Sequence, residues 1–314
     1  MPPRVWVITG SSSGLGLATA LHALRQGDKV VATVRSLSKV PDALRAAGAR
    51  PLILNLDDPD EHIQQAAKQA ITVYGYVDVL VNNAGTSING YGPIEELSVQ
   101  DMRKHFQTSL FGTLAFTQPF IAHFRTRRTE DIINVSSLAA GLSTPAWGPY
   151  CASKLALESF SETLSKELTL FNVRVTIIIA GYFPTNIFRT HPAYVEDGRV
   201  SGSPEATRST VYIDPETQGY DSMNWLPRRS EARGLVGDPE KFAERVFEIV
   251  ARKGLAYEVT RGAPVGWVKV ACGSDAGSRI LKQLEDTAEN FKAFEPVWRS
   301  TDVRTEQKPV SSRL

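Results

Sequence analysis

Two residues with complementary proton chemistry stand four positions apart, Tyr150 and Lys154, in the segment YCASK. Residues spaced i and i+4 share one face of a helix, so both side chains can contact the same ligand. A free tyrosine has a pKa of about 10, and a neighbouring ammonium favours the phenolate and lowers that pKa. The pair can therefore give a proton to a developing alkoxide or take one from an alcohol. Most Tyr and Lys pairs with this spacing lie on a surface and have no catalytic role. The surrounding segments therefore decide whether this pair is a candidate catalytic site.

A serine lies where it can join this pair. Ser137 ends the apolar run DIINVSS (131–137), and a loop of Gly, Pro and Ser residues (138–149) separates it from Tyr150. Such a loop can return the chain so that Ser137 lies beside the phenol. A hydroxyl in that place can hydrogen-bond a substrate oxygen whose charge grows during the reaction.

A glycine-rich turn follows the first apolar run. The segment TGSSSGLG (9–16) carries Gly10, Ser12, Gly14, Leu15 and Gly16 between an expected strand and an expected helix. Glycine allows the backbone to turn sharply and to approach a ligand closely, and a helix N-terminus offers N–H groups to a pyrophosphate. The spacing differs from the GxGxxG dinucleotide pattern. A turn whose glycines serve only packing is therefore the alternative.

The end of the second strand bears on the choice of dinucleotide. Residues 28–34 (DKVVATV) are typical of a strand that ends without a carboxylate, and Arg35 follows. An acid there would bind the adenosine ribose of NAD(H), whereas an arginine accepts the 2′-phosphate of NADP(H). The sequence favours NADP(H), with Lys39 and Ser11 as further phosphate donors. A solvated Arg35 at a strand end is the alternative.

Apolar runs and helical stretches alternate along the chain. Strands are expected at 4–9, 28–34, 50–56, 77–83, 131–137, 173–180 and 255–260, and helices at 15–26, 41–47, 59–74, 98–125, 150–170, 238–254 and 274–294. This alternation predicts an α/β fold in which helices cover both faces of a parallel sheet. Residues 186–235 have weak periodicity, which is typical of a functional or disordered loop.

Composition argues against several classes of protein. The net charge of the 314 residues is +1, which argues against a general nucleic-acid or anionic-membrane surface. The two cysteines, and five histidines without ligand spacing, argue against a disulfide framework and a metal site. We find no apolar run of about 18 residues and no signal-peptide pattern. We therefore expect a cytoplasmic protein that acts on a small molecule.

Five segments in a fixed order carry a family resemblance. They are TGSSSGLG (9–16), NNAG (82–85), NVSS (134–137), YCASK (150–154) and AGYFPT (180–185). With them the chain resembles a classical short-chain dehydrogenase/reductase. The segments VWVITGSSSGLGLA and GDKVVATVR resemble the fungal and bacterial 17β-hydroxysteroid-dehydrogenase-like branch of this family. Many fungal members of that branch act in secondary metabolism.

The resemblance implies a Rossmann-type, doubly wound parallel sheet of seven strands in the order 3-2-1-4-5-6-7. It implies a single domain over residues 1–314: a dinucleotide-binding and catalytic core (4–185), a substrate lid (186–235), and C-terminal helices with the last strand and a tail (236–314). It also implies a homo-oligomer that pairs through the helices at 98–125 and 150–170.

The resemblance assigns catalytic roles to residues of this chain. Tyr150 would exchange the proton, and Lys154 would lower its pKa and bind the nicotinamide ribose. Ser137, rather than Ser136, would orient the carbonyl.

The resemblance also implies cofactor contacts. Asn82, Ala84 and Gly85 would support the adenosine ribose and the centre of the sheet. Asn55 and Leu56 would touch the adenine, and Thr185 would contact the carboxamide or the pyrophosphate.

Three positions depart from the family pattern. Ser109 stands where the family has an asparagine that holds a water of the proton relay, and losing such a group can cost on the order of 10²–10⁴ in rate. Ala180 replaces a proline before Gly181, and Asn55 replaces an aspartate at the adenine.

The aromatic side chains expected near the phenol indicate a bulky, largely apolar ketone or alcohol as substrate. They are Trp147, Tyr182, Phe183, Phe188 and Trp225, with His191 as a further candidate. We expect an NADPH-dependent ketoreductase. The alternatives are a redox-neutral isomerase, dehydratase or cyclase that uses Tyr150 as acid and base, and a non-catalytic nucleotide sensor.

Overall fold

A sheet flanked by helices runs through the chain. The computed structural model describes residues 2–86, 94–128, 130–144, 147–185, 195–196, 199–200, 237–261 and 269–301. The strands in these ranges are β1 (Val5–Ile8), β2 (Lys29–Val34), β3 (Arg50–Ile53), β4 (Val79–Asn82), β5 (Asp131–Ser137), β6 (Arg174–Ala180), β7 (Val195–Glu196), β8 (Arg199–Val200) and β9 (Lys269–Cys272). The helices are α1 (Gly14–Arg25), α2 (Asp42–Ala46), α3 (Asp60–Thr72), α4 (Val99–Phe106), α5 (Gly112–Arg127), α6 (Ala139–Leu142), α7 (Gly148–Leu168), α8 (Pro239–Ala251), α9 (Gly254–Thr260), α10 (Ser274–Ala293) and α11 (Glu295–Arg299).

The main sheet has seven strands in the order β3-β2-β1-β4-β5-β6-β9. Every neighbouring pair in it is parallel. Because β7 and β8 form a separate sheet, β9 is the seventh strand of this sheet along the chain. The observed order is therefore the predicted 3-2-1-4-5-6-7, and the Rossmann-type fold is confirmed. The order reverses between β1 and β4, so a crevice opens at the carboxyl ends of the strands, where ligands of such sheets bind.

Both faces of the sheet are covered, as the unbroken apolar run in β1 predicts. Trp6 and Ile8 pack on one face with α1 and α8, where Trp6 stacks on Phe247 with ring centroids 5.9 Å apart. Val5 and Val7 pack on the other face with α3 and α5. Successive strand residues point to opposite faces, and both faces are covered here. All four residues of β1 are therefore buried.

The prediction of a strand at 255–260 is wrong. This segment is the helix α9, and the Glu248 carboxylate accepts the N–H of Ala256 in its first turn at 3.0 Å. Such capping satisfies an N–H that has no partner within the helix. The seventh strand is instead the four-residue β9, which pairs with β6. Its short apolar run is too weak a pattern to mark a strand by periodicity.

The helical stretch predicted at 98–125 is interrupted. A turn of π-helix (Gln107–Phe111) joins α4 to α5, and it contains Ser109. Gly112 follows it and lies against the backbone of Leu56, where a Cβ would be 2.9 Å from the Leu56 Cβ. Widened turns of this kind occur often at functional sites.

Several expectations fall beyond the described ranges. Phe188, His191 and Trp225 lie outside the described residues, as does most of the lid at 186–235; within that segment β7 and β8 form an antiparallel pair. The division of the chain into core, lid and C-terminal part stays a prediction. In the part of the chain that the structure describes, no helix combines the length and the apolar character needed to cross a membrane.

Candidate active site

One cleft of about 560 Å³ follows the carboxyl edge of the sheet. Its lining includes Arg35 and Lys39 after β2 and reaches Tyr150 and Lys154 on α7. The strand ends and the turns that follow them supply most of the remaining wall. The alternation of strands and helices thus brings residues more than a hundred positions apart to one edge.

Tyr150 and Ser137 meet in this cleft. The Ser137 hydroxyl and the Tyr150 phenol both line the cleft and are close enough to interact, and the Ser137 hydroxyl accepts the Ala139 N–H at 3.2 Å. Tyr150 is only 8% exposed, and burial raises its pKa to about 12, against the opposing effect of the neighbouring Ser137 hydroxyl. The sequence predicted a lowered pKa for Tyr150, which is wrong for this structure because desolvation of the phenolate dominates. The phenol is protonated at neutral pH.

Lys154 lies one helical turn beyond the tyrosine and is 5% exposed. Its ammonium donates to the carbonyl oxygen of Val135 in β5 at 2.9 Å. Burial lowers the pKa of Lys154 to about 8, although the nearby Glu158 carboxylate raises it in part. Lys154 is therefore still mostly charged at neutral pH but gives up its proton more readily than an exposed lysine, which is typical of groups that take part in proton transfer.

The neighbouring serine has a different partner. The Ser136 hydroxyl donates to the Glu158 carboxylate at 2.6 Å, and Lys269 of β9 pairs with the same carboxylate at 2.9 Å. Successive residues of β5 point to opposite faces. Ser137, and not Ser136, therefore has its hydroxyl in position to meet Tyr150.

Ser109 is buried beside a histidine that sequence reasoning missed. The Ser109 side chain is 1% exposed and is not part of the cleft lining. His105, four residues earlier, has Nε2 at 3.4 Å from Ser109 Oγ and at 3.1 Å from Ser153 Oγ. The edge of its ring lies against Tyr150, with centroids 6.0 Å apart. The i, i+4 spacing of His105 and Ser109 is the signal that could have linked them.

The glycine-rich turn forms the floor of the cleft at the start of α1. The predicted residues Gly10, Ser12, Gly14 and Leu15 line the cleft, whereas Gly16 does not. A Cβ at Gly16 would lie 2.6 Å from the Gly10 carbonyl oxygen. Gly16 thus lets the helix approach the turn rather than the ligand.

The NNAG segment is held by Thr9, another residue that sequence reasoning left without a role. The Thr9 hydroxyl accepts the N–H groups of Asn83 and Ala84, each at 2.9 Å. Ala84 and Gly85 line the cleft together with Asn83, and their contact with the adenosine ribose stays a prediction.

Asn82 is not a cleft residue. Its side-chain amide donates to Thr117 on α5 at 2.9 Å and to Asn134 on β5 at 2.8 Å. These bonds place the side chain between the sheet and α5, because the last residue of β4 points toward that face. The resemblance implied that Asn82 supports the adenosine ribose and the centre of the sheet. Its hydrogen bonds fit the second role and not the first.

The far end of the cleft is polar and open. Arg35 and Lys39 are exposed there, and Asn55 and Leu56 also line it. The Asn55 amide is tied to the Asp58 carboxylate at 2.6 Å. Ser11 is not available as a phosphate donor, because its hydroxyl donates to the Ile8 carbonyl at 2.8 Å and is fully buried.

Aromatic side chains flank the phenol. Trp147 meets Tyr150 edge-on with centroids 5.4 Å apart, and Tyr182 lines the same end of the cleft. Phe183 lines it too but is 4% exposed and packs against Phe242. Thr185 also borders the cleft. Cys151 is buried, and burial raises the pKa of its thiol, so it is unsuited to act as a nucleophile.

The donor set fits an extended dinucleotide. Backbone N–H groups at the start of α1 suit a pyrophosphate, two exposed cations at one end suit a further phosphate, and a tyrosine with a lysine closes the other end. The lining of the cleft combines cations and neutral polar groups with a larger share of apolar side chains, and Asp57 is an acid among them.

Comparison with known proteins agrees with this geometry. The model of the short chain dehydrogenase family matches residues 4–194. The chain is 34% identical over 253 residues to 17-beta-hydroxysteroid dehydrogenase type 1 of Mus musculus, covering 78% of this chain and 69% of that protein. It is 33% identical over 263 residues to 3-ketodihydrosphingosine reductase of Bacteroides thetaiotaomicron, covering 83% and 89%.

A solved structure extends the likeness to the whole fold. It is a short chain dehydrogenase/reductase from Burkholderia phymatum in complex with NAD, with a TM-score of 0.70 and 25% identity. The match covers 99% of this chain and 98% of that one. The chain therefore belongs to the short-chain dehydrogenase/reductase family of oxidoreductases.

Proposed function

We propose that the protein is an NADPH-dependent ketoreductase that converts a bulky, largely apolar ketone to an alcohol, or runs the reverse reaction. One observation carries this proposal: a buried, protonated Tyr150 lies beside Ser137 at the end of a cleft that suits a dinucleotide. A substrate oxygen placed between these two hydroxyls would receive both as donors.

The residues divide the work as follows. NADPH supplies a hydride when it is bound. Ser137 orients the substrate carbonyl and hydrogen-bonds its oxygen as negative charge develops. Tyr150 then gives its proton to that oxygen. Because the pKa of Tyr150 is about 12, its proton is present at neutral pH. Once the proton has been transferred, a nearby cation must stabilise the phenolate of Tyr150.

Lys154 is the cation for that purpose. Its ammonium bonds the Val135 carbonyl in β5, so it is held by the strand that carries Ser137. We infer that it binds the nicotinamide ribose and stabilises the phenolate of Tyr150. With its own pKa near 8, it can also return a proton to the tyrosine after turnover.

The preference for NADPH rests on Arg35 and Lys39. Both are exposed at the end of the cleft away from Tyr150, and Arg35 can pair with a 2′-phosphate through two parallel hydrogen bonds. The carboxylate in this part of the lining is Asp57, which shares a short hydrogen bond with Thr108.

The substrate class rests on the aromatic wall beside the phenol. Trp147 and Tyr182 offer flat apolar surface to a substrate at the reacting end. The two named relatives act, by their names, on a steroid and a sphingoid base. Both compounds are large and mostly apolar, which supports a bulky substrate here.

Ser109 favours a second candidate, a redox-neutral enzyme that uses Tyr150 as acid and base. Ser109 is shorter than the asparagine of the family and is buried outside the cleft lining. Its contact with His105 offers another route for protons below the tyrosine. This candidate needs no net transfer of hydride.

A spectroscopic assay separates the two candidates. Purified protein is mixed with NADPH and a panel of aryl and polycyclic ketones, and the absorbance of the reduced cofactor and the product are both followed. Loss of NADPH that disappears in Tyr150→Phe supports the ketoreductase. Product formed without loss of NADPH supports the redox-neutral enzyme and overturns the first proposal.

We also infer pairing of two copies through the helices α4–α5 and α7. Leu155 and Phe160 of α7 are 51% and 49% exposed, and Phe111 before α5 is 50% exposed. Light scattering of the purified chain tests this. A monomer at micromolar concentration would contradict it, and Phe160→Glu is expected to shift a dimer toward monomer.

A further inference from the structure

The long helix α10 is held by the sheet only at its start. The Asp275 carboxylate accepts the backbone N–H of Tyr182, which follows β6, at 2.7 Å. Ala276 beside it is fully buried. Further along, every residue from 281 to 294 is exposed. A surface helix ordinarily buries one apolar face against the core, whereas this part of α10 extends from the body of the protein with no face buried.

This exposed part carries an apolar stripe. Four of its residues are spaced by three, four and three positions, so they share one face of the helix. These residues, which we call the α10 stripe, are Leu281, Leu284, Ala288 and Phe291. The two leucines and the phenylalanine are 60–64% exposed. Because most of the stability of a protein helix comes from packing of such a face, the stripe is typical of a surface that a partner covers.

The next helix enlarges this apolar surface. The Trp298 indole N–H donates to the carbonyl oxygen of Phe291 at 3.0 Å, so α11 is folded back on the end of α10. Phe294, Val297 and Trp298 are all exposed there. Large apolar side chains that are grouped on a surface, rather than scattered singly, indicate an interaction site.

The charges around the stripe distinguish a membrane from a protein as partner. From residue 281 to the end of α11 the chain carries four acids and three bases. A helix that lies on a membrane surface is rich in Lys and Arg on its polar face, and this one is not. Lys282 and Asp286 pair with each other at 2.7 Å and are exposed. By helical periodicity they lie on the side away from the stripe. The composition therefore favours a protein partner.

Two charges beside the stripe fit a second copy of this chain. Glu285 and Lys292 are seven residues apart, so they lie on the same flank of the stripe. When two copies of α10 pack stripe to stripe in opposite directions, these flanks face each other. Glu285 of each copy then lies beside Lys292 of the other. In the same register Ala288 of each copy faces Phe291 of the other, so a small side chain meets a large one.

A parallel arrangement would leave these charges without ion pairs across the interface. In parallel helices one flank faces the other flank, and the second flank holds Ile280, Thr287 and Phe294, which are uncharged. We propose that α10 of this chain packs antiparallel on α10 of a second copy, with Glu285 and Lys292 forming two symmetric ion pairs. The seam spans about two heptads, which is short for a coiled coil, so we expect a dissociation constant in the micromolar range.

The mass of the assembly in solution tests this interface. The full chain with Phe160→Glu serves as the background, because that change is expected to remove the separate pairing inferred for α7. Sedimentation equilibrium should show that this background protein still dimerises. Adding Phe291→Glu should raise the dissociation constant by about 100-fold or more, since each copy then loses a buried aromatic ring. A background protein that is monomeric at about 100 μM, or one that Phe291→Glu leaves unchanged, overturns the proposal.

Charge reversal tests the antiparallel orientation. Glu285→Lys sets like charges against each other at both ion pairs, and we expect the dissociation constant to rise by about tenfold. Lys292→Glu should have the same effect, and the double variant E285K/K292E should restore the original value. Glu289→Lys is the matched control, because Glu289 lies on the far side of α10, and it should have little effect. A double variant that stays as weak as the single variants contradicts this pairing.

Vesicle binding and thermal unfolding complete the test. Sedimentation with phosphatidylcholine vesicles that Phe291→Glu abolishes, in a background protein that stays monomeric, would assign the surface to a membrane and overturn the proposal. Because Phe291 is exposed in the single chain, the variant should unfold at the temperature of the monomeric background protein. If it does not fold, Leu284→Lys replaces it, with the same loss of dimer expected. None of these outcomes depends on the reaction that the cleft performs, so the proposed function is tested separately.

Discussion

The two ends of the cleft use their charges in different ways. At the far end of the cleft, which we propose for the adenosine, Arg35 and Lys39 follow β2 and are exposed. At the catalytic end Tyr150 and Lys154 lie on a helix packed against β5 and are 8% and 5% exposed. The first pair can bind a phosphate by simple attraction through solvent, which salt weakens.

Burial gives the second pair its chemistry. Desolvation moves the pKa of the tyrosine up to about 12 and that of the lysine down to about 8. Both shifts disfavour charge, so at neutral pH the phenol is uncharged and the lysine keeps its ammonium only against the cost of burial. The comparison teaches that, under the proposed function, affinity at one end would come from exposed charge, whereas reactivity at the other would come from burial that shifts the pKa values of the reacting groups.

The largest expected effect is at the catalytic end. Replacing Tyr150→Phe removes the proton donor but keeps the ring, and we expect kcat to fall by about 10²–10⁴-fold. The dissociation constant of NADPH, followed by fluorescence, should stay nearly unchanged. Tyr74→Phe is the matched control, because Tyr74 contacts Lys29 away from the cleft. A Tyr150→Phe enzyme that keeps its kcat would contradict the role of Tyr150 as proton donor.

The second effect is on stability. The pKa of Lys154 falls from 10.5 to about 8 on folding, so the unfolded chain binds more protons between these values and the free energy of unfolding rises with pH there. At neutral pH the buried ammonium costs about 3 kcal/mol. Lys154→Met removes that cost but also the bond to Val135, so we expect a net gain in the free energy of unfolding of about 2 kcal/mol.

Urea denaturation at pH 7 and at pH 10 measures this effect. The advantage of Lys154→Met over the wild type should shrink as the pH rises from about 8 toward 10.5. Lys282→Met, which replaces an exposed lysine, should show no such gain. A Lys154→Met protein less stable than the wild type at pH 7 would mean that burial does not strain this lysine.

The third effect concerns the adenosine end. Arg35→Ala should raise KM for NADPH by about tenfold, since one charged hydrogen-bonding group to phosphate is lost, and should leave KM for NADH within about twofold. Steady-state kinetics with both cofactors at two salt concentrations measures this. Arg50→Ala, at the exposed start of β3, is the control. Equal changes for both cofactors would contradict the assignment of NADPH.

The smallest effect is expected below the tyrosine. Ser109→Asn restores the residue type of the family relay, and we expect kcat to rise by roughly three- to tenfold. Because Ser109 is 1% exposed, the thermal unfolding of the variant is measured with its kinetics. An unchanged or lower kcat in a folded variant would show that Ser109 works with His105 in a different arrangement.

The sheet was largely predictable because its strands are covered on both faces and read as unbroken apolar runs. β1 and β6 show this plainly. The last strand was not predictable in the same way, because β9 lies at the edge of the sheet, has four residues and is partly exposed. The segment 255–260 has the residue types of a strand, but its helix is decided by the capping contact from Glu248.

Motif order and spacing determined, by themselves, the family, the order of the strands and the meeting of Ser137, Tyr150 and Lys154 at one edge, because the carboxyl ends of parallel strands converge there. Only the tertiary structure decided how deeply these groups are buried, and hence the direction of their pKa shifts. It also decided that Asn82 faces α5, that His105 lies beside Ser109, and that α10 brings Arg279 to the cleft. These depend on contacts between distant segments, which local patterns do not encode.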